Sequence, residues 1–175
     1  MILGYHWIRS NILLILAAVL LVYIIKILYV KYRPERQCFI RKCSSLAFAI
    51  YLFLVAHITL LGRRPSAEPI WHFQLFWSYM AGSRELIAQN ILNVIMFVPF
   101  GIFLYDLSPR PTTLRRILVT ALLSSLVIEL VQLIGKLGEF EFDDILHNTA
   151  GALIGYAVAK WLCQKLDPKN KNIHR

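Results

Sequence analysis

Five stretches of this chain each hold about twenty mostly apolar residues, and no other feature restricts its fold as strongly. A helix needs about 20 such residues to cross the hydrocarbon core of a bilayer. The stretches run from about Asn11 to Val30, Ser44 to Leu61, Ile87 to Tyr105, Leu114 to Ile134 and Ile145 to Leu162. The first contains an unbroken apolar run from Ile12 to Ile25. That run is long and no small-x-small cleavage pattern follows it, so it reads as a retained helix and not a signal peptide.

Composition excludes the alternatives. Hydrophobic residues make up 58% of the 175 and charged residues 17%. Soluble domains carry about 45–50% and about 25%. A soluble fold of this length could not hide so much apolar side chain, and disorder, collagen and coiled coil fail on the same figures. The expected fold is an all-α integral membrane protein, a five-helix transmembrane bundle with the lipid bilayer as its partner.

The net charge of +9 comes from 19 Lys and Arg against 10 Asp and Glu. Twelve of the basic residues fall in three alternating segments: Lys31, Arg33, Arg36, Arg41 and Lys42, then Arg110, Arg115 and Arg116, then Lys165, Lys169, Lys171 and Arg175. Five lie on the opposite side: Arg9, Arg63, Arg64, Arg84 and Lys136. Short loops rich in Lys and Arg stay inside, so the N-terminus is expected outside and the C-terminus in the cytoplasm. The charge is thus an orientation signal and gives no reason to expect a nucleic-acid partner. Lys26 and Lys160, near span ends, can snorkel. This orientation puts Cys38, Cys43 and Cys163 in a reducing compartment, where no disulfide is expected.

Polar residues inside spans are the functional lead in such a chain. With this orientation Asn90 and Asn93 enter span three from outside, Glu129 and Gln132 leave span four outside, and His147 and Asn148 begin span five. All reach the outer third of the bilayer. Helical spacing puts Glu129, Gln132 and Lys136 on one face of span four. Asn90, Asn93 and Phe97 share a face of span three. Asp144, Asn148, Gly151 and Gly155 share a face of span five, where Gly151 and Gly155 form a G-x-x-x-G pattern that admits a close helix neighbour. A small cavity, open outward and lined by spans three, four and five, is the economical expectation.

Each group has a plainer reading. Asn90 and Asn93 can be interhelical glue, and Asp143 can cap span five, with Asp144 as a first-turn acid. Glu129 is harder to dismiss. An ionised carboxylate near the bilayer centre costs at least about 2.5–3.5 kcal/mol on insertion scales. Its compensation would come from Lys136, His147, Arg84 or protonation. His57 reads as a structural histidine. The Lys136–Asp144 loop is strongly acidic and with His147 could be weighed as a divalent-cation site, but its spacing matches no EF-hand or zincin pattern. No metal or cofactor is expected. Pro99 should kink span three, with Gly101 adding freedom. Trp71, Phe73, Phe76, Trp77 and Tyr79, in the outer loop, suit an interfacial flap or an ordinary aromatic belt.

The motifs Asn90-Ile-Leu-Asn-Val-Ile-Met-Phe-Val-Pro-Phe-Gly101, Glu129-Leu-Val-Gln132 and Asp143-Asp-Ile-Leu-His-Asn-Thr-Ala-Gly151, extended to Gly155, resemble the VanZ-like family of bacterial membrane proteins. Leu60-Leu-Gly-Arg63 and Phe76-Trp-Ser-Tyr79 also look like its features. The resemblance divides the chain into an N-terminal helix and basic loop (1–44), a VanZ-like membrane domain (45–160) and a basic tail (161–175). Two departures stand out: Gln74-Leu-Phe stands where an Asn-Leu-x-Pro-Phe type run is expected, and Gly138-Glu-Phe-Glu where many relatives carry a basic residue.

The resemblance implies a multi-pass cell-membrane protein tied to resistance against teicoplanin and related lipoglycopeptides, or to envelope protection. The pattern residues it carries over are Arg63, Asn93, Phe97, Pro99, Gly101, Glu129, Gln132, Asp143, Asp144, Asn148, Gly151 and Gly155. With Asn90 from the polar face of span three, the expected binding residues are Arg63, Asn90, Asn93, Glu129, Gln132, Asp143, Asp144 and Asn148, and the packing residues Pro99, Gly101, Gly151 and Gly155. The partner would be a lipoglycopeptide or an envelope lipid precursor. Two other readings stay open. One is an enzyme acting on an envelope lipid or lipid-linked precursor, with Glu129, Asp144 and His147 as candidate acid/base groups. The other is a non-catalytic scaffold.

Overall fold

A computed structural model of the protein describes residues 21–30, 32, 37–61, 68, 70–108 and 112–166. Arg63, the remainder of the first span and most of the basic tail lie outside these residues. The elements in chain order are α1 (Leu21–Val30), α2 (Gln37–Ala56) running on through a π-helical turn (His57–Leu61), β1 (Ile70–His72), α3 (Trp77–Met80), α4 (Arg84–Leu107), α5 (Leu114–Ile134), β2 (Glu139–Glu141) and α6 (Phe142–Leu166).

Among the described residues three helices are long and apolar enough to cross a membrane: Cys38–Leu60, Arg84–Leu107 and Leu114–Ile134. α6, the expected fifth span, is long enough but carries Asp143, Asp144, His147 and Asn148. The physical reason is its place in the bundle. α6 is packed against both α4 and α5, so much of its surface faces protein and can be polar or small. The described residues are mostly helical, as expected, with one short addition: β1 and β2 pair in parallel, with Ile70, Trp71 and His72 opposite Glu139, Phe140 and Glu141. α2 also begins before its expected start at Ser44, so Cys38, Arg41, Lys42 and Cys43 are helical and not loop residues.

α4 and α6 run in the same direction and touch backbone to backbone. A Cβ on Gly151 would lie 2.1 Å from the Val94 carbonyl oxygen, and one on Gly155 would lie 2.0 Å from that of Val98. A Cβ on Gly101 would lie 1.9 Å from the Ala152 carbonyl. The three glycines therefore set the separation of the two helices. Lipid offers no hydrophobic drive for helix pairing, so this close van der Waals contact is a main source of association. Pro99 is buried within a single continuous α4. Phe97, Val98, Ile102, Ala121, Ala152 and Ala159 fill the core around this contact.

The two ends of the bundle differ. At the end reached by the last turns of α4 and the start of α5, Lys26 of α1 pairs with Asp106 of α4, so Lys26 is held in an ion pair and does not merely snorkel. At the other end the 70–83 segment folds over α4 and α6. His57 lies there too, exposed on the π-helical turn beside the Phe53 ring.

Candidate functional site

The site is the polar end of the bundle, where α4, α6, β2 and the end of α5 meet the 70–83 segment. Its starting point is the first turn of α6. Glu141 ends the short β pairing, Phe142 begins α6 and Asp143 follows at once, where the helix dipole favours a negative charge. Asp143 has no exposed surface. Its carboxylate accepts the backbone N–H of Phe76 at 2.5 Å, the N–H of Ser78 at 3.3 Å and the Ser78 hydroxyl at 2.6 Å. Phe76 adopts φ 60°, a left-handed conformation rare for an aromatic residue. The carboxylate binds the groups on both sides of that bend and so holds it in place.

Ser78 carries the network on to α4. Asn90 Nδ2 donates to Ser78 Oγ at 2.8 Å. One face of His147 joins from α6: its Nδ1 donates to the Asp143 carbonyl, which can only accept. In the neutral imidazole this leaves Nε2 to accept the Tyr79 hydroxyl at 2.8 Å, so the network assigns the tautomer.

Glu141 is the second centre. Trp77 Nε1 donates to its carboxylate at 3.1 Å, and the Trp77 ring stacks on His72 at 3.8 Å between centroids. His72 in turn contacts Glu139 at 2.9 Å. Burial, followed by the nearby charge of Asp144, pushes the Glu141 carboxyl up to about 7. Its backbone N–H donates to Glu129 Oε2 at 3.1 Å. Glu129 is thus held across the chain by the strand that precedes α6, a partner not among those expected for it.

Gln132 and Asn148 reach elsewhere. Gln132 Nε2 donates to the Thr59 carbonyl at 3.0 Å, satisfying an acceptor in the π-helical turn that ends α2. Asn148 Nδ2 donates to Ser125 Oγ at 2.8 Å. Two amide atoms nearby, Asn93 Nδ2 and Asn148 Oδ1, are buried with no hydrogen-bond partner among the described residues.

The expected residues are therefore gathered at one end, with Arg63 outside the description. They are packed and not solvent-lined: Glu129 and Asn90 expose 1%, Gln132 2% and Asn148 3%. The 70–83 segment packs over Asp143 and Asn90 through Phe76 and Ser78. Its Trp71, Phe73, Phe76 and Tyr79 remain exposed. Among the described residues no group of three or more His, Cys, Asp or Glu converges to hold a metal ion.

Sequence reasoning missed Ser78, Ser125 and Thr59. Ser125 had a signal, since it precedes Glu129 by four residues on the same face of α5. Ser78 lies inside the Phe76–Tyr79 motif, but nothing in a lone serine marks it as the bridge between Asp143 and Asn90. Asp143, read alone as a cap for its own helix, instead anchors the neighbouring segment.

Chemically, the arrangement offers buried carboxylates for proton exchange or for binding donors of a polar group. It offers a half-buried His147–Tyr79 pair, and an aromatic surface beside them. A family model described as VanZ/LLP1 matches residues 48–163. No curated protein and no solved structure matches the chain.

Proposed function

Since the chain belongs to the VanZ-like family, we propose that it acts at the outer face of the bacterial cell membrane as a multi-pass protein. It would protect the envelope against lipoglycopeptides such as teicoplanin by engaging the polar part of a lipid-tailed molecule. The reading takes the end bearing Glu129, Asp143 and Asp144 as outer, in keeping with the Lys and Arg distribution.

The observation that carries it is the buried acid set Glu129, Glu141, Asp143 and Asp144 beneath an exposed aromatic surface. Burying four carboxylates together is costly and has to be offset by hydrogen bonds, and acids gathered in this way mark a candidate functional site. A polar core and a lipid tail would both meet groups of the right kind here, acids and amides for one and aromatic side chains for the other. Asn93 Nδ2 and Asn148 Oδ1, without a partner among the described residues, add to this, since an orphaned buried amide atom costs about 1–3 kcal/mol until something binds it. Engagement requires the 70–83 segment to shift, because the acids are covered.

A second reading has its own support. The contact of His147 with Tyr79 keeps an acid/base pair half-exposed beside Asp143, as an enzyme acting on an envelope lipid or lipid-linked precursor would need. Glu129 and Asp144 would be its other acid/base groups. A plain scaffold would explain the glycine contacts and the anchoring bonds of Asp143 and Glu129.

Expression in a susceptible Gram-positive host tests the first reading. The inhibitory concentration of teicoplanin should rise. An unchanged value, with the protein present in the membrane, would contradict it. Loss of a lipid-modifying activity in both Glu129→Gln and His147→Gln variants would favour the second.

A further inference from the structure

The seam between α2, α4 and α5 holds two cavities in series, away from the polar end. One, of about 380 Å³, is lined by Tyr51, Val55 and Ala56 of α2, Phe97 and Phe100 of α4 and Val127 of α5 among others, and is almost wholly apolar. The other, of about 250 Å³, lies further toward the basic end and is lined by Phe48, Phe103, Leu107, Thr112, Arg116 and Thr120 among others. The clustered rings of Phe48, Tyr51, Phe100 and Phe103 join the two.

We propose that this seam binds one anionic phospholipid, with an acyl chain in the apolar cavity and the phosphate at Thr112 and Arg116. Three observations carry the assignment. The first is polarity: one cavity is almost wholly apolar and the other adds Arg116 and the hydroxyls of Ser108, Thr112 and Thr120, the division a phospholipid has along its length. The second is an unsatisfied donor. Thr112 is nine-tenths buried, lines the polar cavity, and its Oγ1 has no hydrogen-bond partner among the described residues. A phosphate oxygen would accept its proton, and Arg116 would supply a charge-assisted bond. Arg41 stands at the same mouth, donating to the Leu107 carbonyl at 3.3 Å. The third is length. From Arg116 to Ile128 the α5 axis rises about 18 Å, close to half of the roughly 30 Å hydrocarbon core. The seam thus matches one leaflet. This site is distinct from the acid cluster and needs no movement of the 70–83 segment.

Native mass spectrometry of the purified full chain tests it, with phosphatidylglycerol and phosphatidylcholine added separately. Phosphatidylglycerol should be retained more strongly, and Arg116→Gln should weaken its retention about tenfold. Ala56→Phe, which fills the apolar cavity, should lower retention of both lipids. Equal retention of the two lipids, no effect of Arg116→Gln, or displacement of the lipid by millimolar inorganic phosphate would overturn the assignment. So would a second protein copy in place of the lipid. Should Ala56→Phe fail to fold, a photoactivatable phosphatidylglycerol on the wild type decides. Cross-links within 48–60 and 116–128 support the proposal, and cross-links confined elsewhere overturn it.

Discussion

Asp143 of α6 accepts the hydroxyl proton of Ser78, 65 residues earlier, at 2.6 Å, and neither residue exposes any surface. With the two backbone N–H groups that the same carboxylate accepts, this contact fastens the segment between α2 and α4 onto the start of α6. Removing the acid in Asp143→Ala would strand the Ser78 hydroxyl and two backbone N–H groups, each an unmet donor costing about 1–3 kcal/mol when buried. The expected loss is about 3 kcal/mol, read by thermal unfolding in detergent. Ser78→Ala should lose about 1–2 kcal/mol, and the double variant should fall short of the sum of the two, because the residues share a bond.

Gly151→Ala and Gly155→Ala test the helix contact. Each new Cβ would meet a backbone carbonyl at 2.1 or 2.0 Å, which cannot rotate away. α4 and α6 must then separate, an overpacking strain of about 1–3 kcal/mol. Membrane abundance and unfolding temperature should both fall. The exposed Ala150 is a control, and Ala150→Leu should change neither.

Glu141 sets a pH dependence. Its carboxyl is raised from 4.5 to about 7 in the folded protein. The fold therefore prefers the protonated group, and the sign follows: this contribution is complete below about pH 4.5 and is lost as pH climbs toward and through about 7. Unfolding temperature should fall between pH 5 and 8 in the wild type. In Glu141→Gln, which stays neutral and can still accept from Trp77, that slope should flatten.

Orientation is open to chemical labelling. With Cys38, Cys43 and Cys163 replaced by serine, single cysteines at Ser83 and Gly138 should react with an impermeant thiol reagent in intact cells. One at Thr113 should react only after lysis. The reverse pattern would place the acid cluster in the cytoplasm.

The helices were legible because apolar runs of bilayer length leave few alternatives. Leu114–Ile134 coincides with its expected bounds, since Thr113 caps it and Gly135 ends it. The residues of the site were legible too, because a Glu or an Asn in such a run has to be explained. Their partners were not. Glu129 binds a backbone N–H of Glu141, and backbone groups leave no mark in a sequence. The β1–β2 pairing joins two three-residue strands across 69 positions, too short for a period-two pattern and too distant for a turn signal. The Lys26–Asp106 pair bridges 80 positions and was hidden for the same reason. Closure of the site over its acids depends on the 70–83 segment, whose aromatic residues fit a flap and a belt equally well.

The central claim is that the buried acids serve a function and not merely the fold. Glu129→Gln separates the two, because an amide oxygen can still accept from the Glu141 N–H while the charge is gone. Wild type and Glu129→Gln should be compared for teicoplanin susceptibility in one Gram-positive host at matched membrane abundance. The account predicts a raised inhibitory concentration with the wild type and a return to the host's own value with the variant. Protection by Glu129→Gln equal to that of the wild type would contradict it.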